Sequence, residues 1–396
     1  MFPDWMINAP TPFSSVLVAN RGEIAVRILK AARESGLKGI AIYSDPDKNS
    51  LHVEVADESV HLPGKNLSET YLNMELIISA AKESGAQAIH PGYGFLSERA
   101  NFAKLVKDSG LIWIGPSSEA IETMGDKISA RRRMIESGVP IIPGEELVIE
   151  SGSNPLGVLA TSAARVGYPL LVKASAGGGG KGMRAVYEPK MLRTEYEAAA
   201  REASAAFGDG TVYIERLLTG SRHVEIQILC DQYGNSIHLN ERDCSLQRRH
   251  QKVIEEAPSP AVTTEIRKNM GQAAIRAAES VNYEGAGTVE FLLTSRGDFF
   301  FLEMNTRLQV EHPVTELITG IDLVQKQFEV AAGIPLNISQ DEIGITGHSI
   351  EARIYAEDVT KGFLPAIGKL SMWRPPSTPG VRICLLYTSD AADDVR

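Results

Sequence analysis

Cysteine is scarce in this sequence, and the few cysteines present are poorly placed for pairing or for metal binding. Among 396 residues there are three, Cys230, Cys244 and Cys384. An odd number cannot pair completely, and no spacing between them is typical of a zinc site. The sequence therefore predicts a protein of a reducing compartment, the cytoplasm, without a disulfide framework.

Long apolar runs and an excess of positive charge are also missing. No apolar stretch approaches the roughly 20 residues of a membrane span, and Met1 to Phe13 lacks the basic and apolar regions of a signal peptide. The formal net charge of −10 argues against a polyanionic partner. We interpret the basic run at Arg131 to Arg133 as a solvated helix face. These absences predict a protein that binds neither membrane nor nucleic acid.

Strand and helix patterns alternate through the first third of the chain. Short apolar runs such as Val16 to Asn20 and Ala88 to His90 are typical of buried strands, and amphipathic helices follow them. The alternation predicts a parallel α/β sheet. Ligands of such sheets bind beyond the carboxyl ends of the strands, where Asn20 to Gly22 and His90 to Gly94 fall. Neither loop has the spacing of a dinucleotide fingerprint.

A second α/β unit begins near Ser118 and contains four consecutive glycines, Gly177 to Gly180. Such a run frees the backbone N–H groups to close on phosphates, and neighbouring lysines balance the charge. The Ser or Thr of a P-loop is absent. A flexible linker is the alternative, but the flanking segments are strand-like. We therefore predict a mobile glycine-rich lid.

Polar residues alternate with apolar ones from Phe299 to His312. The polar positions carry an acid, an amide, a guanidinium, an amide and an acid: Glu303, Asn305, Arg307, Gln309 and Glu311. In an extended chain they would share one face. A solvated surface strand is the alternative, but this series suits a divalent cation beside an anion.

A predicted hairpin supports a metal site at the start of this stretch. Thr288 to Leu293 is expected to pair with Phe299 to Met304, which would bring Glu290 toward Glu303 and Asn305. Two carboxylates and an amide on adjacent strands are suitable ligands for Mg²⁺.

A third polar stretch, Glu241 to Val253, packs two acids, a histidine and four cations into a short run. From these residues alone, a salt-bridged loop and an anion site remain open.

With these motifs the chain resembles the biotin carboxylases, the ATP-grasp component of biotin-dependent carboxylases, from about Val16 to Arg382. The motifs that carry the resemblance are Ala19 to Ala25, His90 to Glu98, Met124 to Lys127, Lys173 to Met183, Glu241 to Ser245, Gln247 to Lys252 and Glu303 to His312. Glu351 to Asp358 is most similar to the subunits of acyl-CoA carboxylases.

The resemblance implies a fold and a set of domains. An N-terminal Rossmann-like, pre-ATP-grasp parallel sheet is expected over 14–124. An ATP-grasp domain is expected over 125–333, with its lid at about 143–215. A partial C-terminal domain is expected over 345–382. Residues 383–396 match nothing in the family, and we expect a truncated or chimeric reading frame there.

The resemblance also assigns the site residues. Around ATP it places Lys127, Lys173, Gly177, Gly178, Gly179, Gly180, Met183, Glu215, Leu218, His223, Gln247, His250 and Leu292. The implied ligands of Mg²⁺ or Mn²⁺ are Glu290, Glu303 and Asn305. Bicarbonate would be held by Lys252, Arg307, Gln309 and the backbone of Val310. Glu311 would be the base, Arg353 would stabilise the biotin oxyanion, and Tyr93 would line the biotin pocket.

The implied activity is ATP- and bicarbonate-dependent carboxylation of biotin through carboxyphosphate. No Ala-Met-Lys-Met-like biotinylation site occurs, so the biotin is expected on a carrier protein or domain. A carboxyltransferase subunit and a homodimer are further expected partners. The alternatives are an ATP-grasp ligase of carbamoyl-phosphate synthetase type and a nucleotide-binding remnant. Lys252, Glu311 and Arg353 favour bicarbonate and biotin.

Replacing Gly179 by valine should slow lid closure, because a β-branched residue loses positive-φ freedom. We expect chiefly a raised KM for ATP in steady-state assays. An unaltered KM would favour the linker interpretation.

Overall fold

The computed structural model describes residues 3–147, 155–174, 183–208, 210–249, 251–366, 372 and 374–384. The predicted lid glycines Gly177 to Gly180 and the predicted nucleotide contact His250 lie outside the described residues. So does most of a strand predicted over Lys369 to Arg374.

The described chain alternates between helices and strands. Its α-helices are α1 Gly22–Glu34, α2 Leu51–Val55, α3 Met74–Glu83, α4 Ala100–Asp108, α5 Ser118–Gly125, α6 Lys127–Glu136, α7 Pro155–Val166, α8 Leu192–Phe207, α9 Thr264–Glu279, α10 His312–Thr319 and α11 Leu323–Ala331. Its strands are β1 Ser15–Val18, β2 Lys38–Tyr43, β3 Glu58–His61, β4 Ala88–His90, β5 Ile112–Trp113, β6 Gly144–Glu146, β7 Leu170–Ala174, β8 Arg184–Val186, β9 Val212–Arg216, β10 Arg222–Cys230, β11 Ser236–Arg248, β12 Gln251–Ala257, β13 Gly285–Leu293, β14 Phe299–Asn305, β15 Ser349–Ala352, β16 Glu357–Asp358 and β17 Leu364–Pro365.

The predicted α/β class is confirmed, and its first unit is a five-stranded parallel sheet in the order β3-β2-β1-β4-β5. Its central strand is buried along its whole length, as expected where helices cover both faces of a parallel sheet. The two predicted loops meet at the carboxyl ends of β1 and β4. There the Asn20 amide donates hydrogen bonds to the carbonyls of Pro91 and Tyr93 at 2.8 and 2.7 Å.

A six-stranded antiparallel sheet, in the order β14-β13-β10-β11-β12-β15, forms the centre of the second unit. The polar stretch from Glu241 belongs to it, since β11 and β12 form an antiparallel hairpin. The loop interpretation of that stretch was therefore wrong. A strand is possible because its buried charges have partners on other elements: Arg242 pairs with Glu225 of β10, and Glu241 pairs with Arg267 of α9.

The alternating stretch after Phe299 is extended only as far as Asn305. The chain then turns, and α10 begins at His312. The prediction that Arg307, Gln309 and Glu311 continue one strand face was wrong. A two-residue period cannot distinguish a strand that continues from one that ends in a turn.

The sequence from His312 to Gly333 predicts a single helix, but the structure divides this segment into α10 and α11. Gly320 adopts a left-handed conformation with φ of 72° and ends α10. The side chain of Asp322 then accepts a hydrogen bond from the backbone N–H of Gln325 and caps α11.

Two further elements frame the central sheet. A four-stranded sheet in the order β6-β9-β7-β8 packs against α7 and α8 around Leu170, Val172 and Ile214. Strand β15, which lies in the range expected for the C-terminal domain, pairs with β12 as the edge of the central sheet.

One apolar core joins the parallel sheet to the central sheet. It contains Ile28 of α1, Leu229 of β10 and Phe328 of α11, all fully buried. The two units are therefore held by shared apolar contacts as well as by polar ones. Among the described residues, no helix is long and apolar enough to cross a membrane.

His90, at the end of β4, should make stability depend on pH. It is fully buried, its Nδ1 accepts the N–H of Gly92 at 3.0 Å, and its Nε2 lies 3.2 Å from Gln327 Oε1. Burial lowers the pKa of His90 to about 4 from its usual 6.5. Between these values the unfolded chain binds a proton that the folded chain does not, so stability falls as the pH falls through this window.

The loss attributable to His90 should reach about 3 kcal/mol near pH 4. Urea unfolding of the parent and of His90→Asn at pH 7.5, 6, 5 and 4.5 tests this. The variant should be less stable at pH 7.5 but should lose less stability on acidification. Parallel curves for the two proteins would contradict the assignment.

Candidate functional site

Three carboxylates line up across adjacent strands of the central sheet. In the antiparallel register Glu225 of β10 faces Glu290 of β13, and Glu290 faces Glu303 of β14. Like charges directly opposite one another destabilise a sheet unless cations lie between them. The described structure supplies such cations from other elements.

Lys252 of β12 is the principal cation. Its Nζ lies 2.5 Å from Glu225 Oε2, 2.8 Å from Glu290 Oε1 and 2.7 Å from Glu311 Oε1. Burial alone would lower the pKa of Lys252, but Glu225, Glu290 and Glu311 hold it well above the usual value. Lys252 therefore stays charged and links carboxylates from three separate segments.

Both carboxylate oxygens of Glu290 lie close to polar side chains. Besides Lys252, its Oε1 accepts from Asn305 Nδ2 at 2.8 Å and from Gln309 Nε2 at 3.1 Å. Its Oε2 lies 2.7 Å from His223 Nε2. Burial would raise the pKa of Glu290, but Lys252 and His223 hold it well below the usual value.

Glu311 sits at the N-cap of α10, held between two cations. Its Oε1 contacts Lys252, and its Oε2 accepts from Arg353 Nη2 at 3.0 Å. Burial would raise the pKa of Glu311, yet Lys252 and Arg353 hold it well below the usual value. Glu311 is therefore a carboxylate able to accept a proton once a ligand draws these cations away.

Arg242 of β11 supports this cluster and was missed in the sequence. It is fully buried; its Nε donates to Glu225 Oε1, and its Nη1 donates to Gln227 Oε1 at 2.7 Å and Thr315 Oγ1 at 2.9 Å. The sequence signal was the polar alternation of His223, Glu225 and Gln227 within an otherwise apolar strand. A two-residue period there marks one polar face of β10.

A second group of cations lies on the side of the small sheet. Lys173 of β7 donates to Glu215 Oε1 at 2.7 Å, and both side chains are buried. Burial and the nearby charge of Lys173 lower the pKa of Lys127. Burial and Glu290 raise the pKa of Glu303, whereas Lys127 opposes that shift. The charges of Lys127 and Lys173 both favour an ionised Glu303, and Lys173 also pairs directly with Glu215.

Other predicted nucleotide contacts border the same region. Gln247 Nε2 lies 2.8 Å from His223 Nδ1 and donates to the carbonyl of Cys244. Leu292 faces His223 across the β10–β13 pair. Leu218 lies just beyond β9, and Met183 lies just before β8.

Arg307 and Tyr93 pair with carboxylates outside the Lys252 cluster. Arg307 Nε pairs with Glu98 Oε2 at 2.9 Å, and its Nη2 donates to Asn305 Oδ1 at 3.2 Å. The Tyr93 hydroxyl donates to Glu23 Oε1, and burial together with Glu23 raises the pKa of that hydroxyl. Val310 is half-buried in the turn before α10.

The donor set around Glu290 fits a divalent cation. The ammonium of Lys252 already lies within 2.8 Å of three carboxylates, which is the environment that a hard cation needs. The side chain of Glu303 makes no hydrogen bond or ion pair with any residue that the structure describes, and its carboxylate is therefore available as a ligand.

Two family models match the chain. The model described as "Biotin carboxylase, N-terminal domain" matches residues 12–121. The model described as "Carbamoyl-phosphate synthase L chain, ATP binding domain" matches residues 126–339.

Curated relatives are biotin-dependent carboxylases. A biotin carboxylase of Nostoc sp. is 52% identical over 371 residues, covering 94% of this chain and 82% of the relative. The mitochondrial methylcrotonoyl-CoA carboxylase subunit alpha of Dictyostelium discoideum is 53% identical over 366 residues; the match covers 92% of this chain but only 52% of that subunit. The relatives favour biotin carboxylase over the carbamoyl-phosphate synthetase alternative.

A solved structure agrees with this. The biotin carboxylase of Campylobacter jejuni, crystallised as a β,γ-ATP complex, superposes with a TM-score of 0.90 at 46% identity, covering 97% of this chain and 85% of that one.

Another similar structure holds several ligands. It is the biotin carboxylase domain dimer of the Hydrogenobacter thermophilus 2-oxoglutarate carboxylase, with MgADP, ADP and bicarbonate. Its TM-score is 0.87 at 47% identity, covering 93% of this chain and 81% of that one.

Replacing Lys252 by methionine should strengthen binding of Mn²⁺ without nucleotide. The ammonium competes with a metal for Glu290, so its removal should raise the affinity about tenfold, or 1.4 kcal/mol. Isothermal titration calorimetry at pH 7.5 measures this directly. Lys326→Met is the control, since that lysine pairs with Glu329 on α11 away from the cluster. Unchanged or weaker binding to Lys252→Met would contradict the competition.

Proposed function

This chain belongs to the biotin carboxylase family, and from that premise we propose that its central sheet carboxylates biotin, using ATP and bicarbonate, through carboxyphosphate. The observation that carries the proposal is the position of Glu311 between Lys252 and Arg353. Of the two cations that flank this base, one can bind an anionic substrate and the other can stabilise an oxyanion that forms later. The enzyme is an ATP-dependent ligase.

Bicarbonate is a weak nucleophile, and we assign its activation to the Lys252 end of the cluster. Lys252, Arg307, Gln309 and the backbone of Val310 would hold the anion, and Glu311 would accept its proton. The bound anion would share Lys252 with Glu311. The pKa of Glu311 would then rise toward the range in which a general base is effective. An oxygen of bicarbonate would attack the γ-phosphorus, and ADP would leave.

The phosphates lie, in this proposal, between two sets of charged residues. Glu290, Glu303 and Asn305 would hold Mg²⁺ or Mn²⁺, which would neutralise charge on the transferring phosphoryl group. Lys127 and Lys173 would contribute positive charge from the other side. The predicted lid, Gly177 to Gly180, would exclude water from the labile product.

We assign the biotin step to Arg353. Carboxyphosphate would separate into CO₂ and phosphate, the phosphate would take the N1′ proton of biotin, and that nitrogen would attack CO₂. Negative charge on the ureido oxygen would be stabilised by Arg353, with Tyr93 lining the pocket. The biotin would be carried by a separate protein or domain and passed to a carboxyltransferase. We further propose a cytoplasmic homodimer.

The roles of Glu311 and Arg353 are separable. Glu311→Gln should lose both bicarbonate-dependent ATP cleavage and biotin carboxylation by about 10²-fold or more, because the general base is removed. Arg353→Met should retain ATP cleavage while losing carboxybiotin, because only the biotin oxyanion loses its partner. ADP release and ¹⁴C incorporation into free biotin measure the two activities.

Arg382→Met is the matched control, since that exposed arginine lies 3.4 Å from Glu316 rather than Glu311. Retained ATP cleavage in Glu311→Gln, or equal losses in Arg353→Met, would mean that the roles are misassigned. Absence of bicarbonate-dependent ATP cleavage in the parent chain would overturn the proposed function itself.

A further inference from the structure

Arg353 is paired with two carboxylates, the proposed base Glu311 and a second acid, Glu255. Its Nη2 lies 3.0 Å from Glu311 Oε2 and 2.6 Å from Glu255 Oε1. The shorter contact is therefore to Glu255, whose side chain is fully buried. The guanidinium bridges the two acids.

Strand pairing explains how Glu255 reaches this position. In the β12–β15 register Glu255 lies directly opposite Glu351. Two residues further along, the backbone N–H of Arg353 donates to the carbonyl of Val253 at 2.9 Å. Arg353, which directly follows the edge strand β15, is thereby placed beside β12, the strand that carries Glu255 and Lys252.

A purely structural role does not account for this pair of acids. Directly opposed like charges destabilise a sheet, and a buried carboxylate is costly unless it is paired. Burial raises the pKa of Glu255 to about 7 and that of Glu351 to about 8. The neighbouring charge of Arg353 opposes both shifts. Arg353 is thus the cation that favours an ionised Glu255.

The need for a second partner follows from the chemistry of Glu311 and rests on the proposed function. When Glu311 accepts a proton it loses the charge that attracts Arg353. Contacts between a guanidinium and a neutral acid are weaker than those with a carboxylate. An arginine held by Glu311 alone would therefore lose its anchor before the biotin step.

We propose that Glu255 is a positioning residue that holds Arg353 in place while Glu311 changes its charge. Glu255 touches neither bicarbonate nor biotin in this scheme. Glu255 acts only through the guanidinium of Arg353. Replacing Glu255 should therefore slow the biotin step but leave ATP cleavage unchanged.

The test is Glu255→Gln in the full chain, with both activities measured on the same preparation. Bicarbonate-dependent ATP cleavage should stay within about twofold of the parent, while kcat for carboxylation of free biotin should fall about tenfold or more. Glu255→Asp should restore part of the loss, because it returns the charge. In an Arg353→Met background, Glu255→Gln should cause no further loss, since coupled residues are not additive.

Glu256→Gln is the matched control. It is the next residue on β12, and it pairs with the exposed His348 at 3.3 Å instead of with Arg353. It should change neither activity. A general disturbance of β12 would affect both Glu255→Gln and Glu256→Gln, and a lowered thermal unfolding midpoint of the two variants would reveal it.

Three results would overturn the inference: equal loss of both activities in Glu255→Gln, parent-like carboxylation in that variant, or a further loss in the Arg353→Met background. Each of these results counts only if the parent chain itself carboxylates biotin. A parent that cleaves ATP with bicarbonate but forms no carboxybiotin would instead contradict the proposed biotin step.

Discussion

One buried ammonium, that of Lys252, makes the rest of the site possible. Transferring an ionised group from water into a protein costs roughly several kcal/mol, and a carboxylate without a partner is normally protonated instead. Glu225, Glu290 and Glu311 come from three different segments, yet each lies within 2.8 Å of Lys252. The hairpin that carries this lysine is thus held to the sheet by charge as well as by backbone hydrogen bonds.

Because the charges of Glu290, Lys252 and Glu311 are satisfied internally, a ligand that binds any of these three must replace a partner that is already present. A metal at Glu290 competes with Lys252 and His223, and an anion beside Lys252 competes with Glu311. In each case a contact between two side chains is replaced by a contact between a side chain and the ligand. This exchange also couples the ligands, because a group released by one becomes available to the next.

Glu311 owes its position to contacts outside the sheet. It occupies the N-cap position of α10, and Glu316 in the same helix pairs with Arg27 of α1 at 2.8 Å. Arg27 also pairs with Asp322 at 2.8 Å, at the start of α11. Together with the core around Phe328, these pairs hold Glu311 between the parallel sheet and the central sheet. A helix of the first unit therefore helps to position the residue that we propose as the base.

The sequence alone determined what short-range patterns can encode. Alternating strands and helices specified the parallel sheet, and the motif around Glu303 predicted the residue types of a metal and anion site. Period and composition cannot say where a polar strand ends, so the turn after Asn305 and the strands formed by Glu241 to Val253 came only from the tertiary structure. The partners of buried charges are also decided at long range. Arg242 meets Glu225 and Thr315 across 17 and 73 residues of chain, and Glu255 meets Arg353 across a strand pair that no local pattern specifies. Electrostatic pairing acts through space, and only the folded sheet brings those residues within reach of one another.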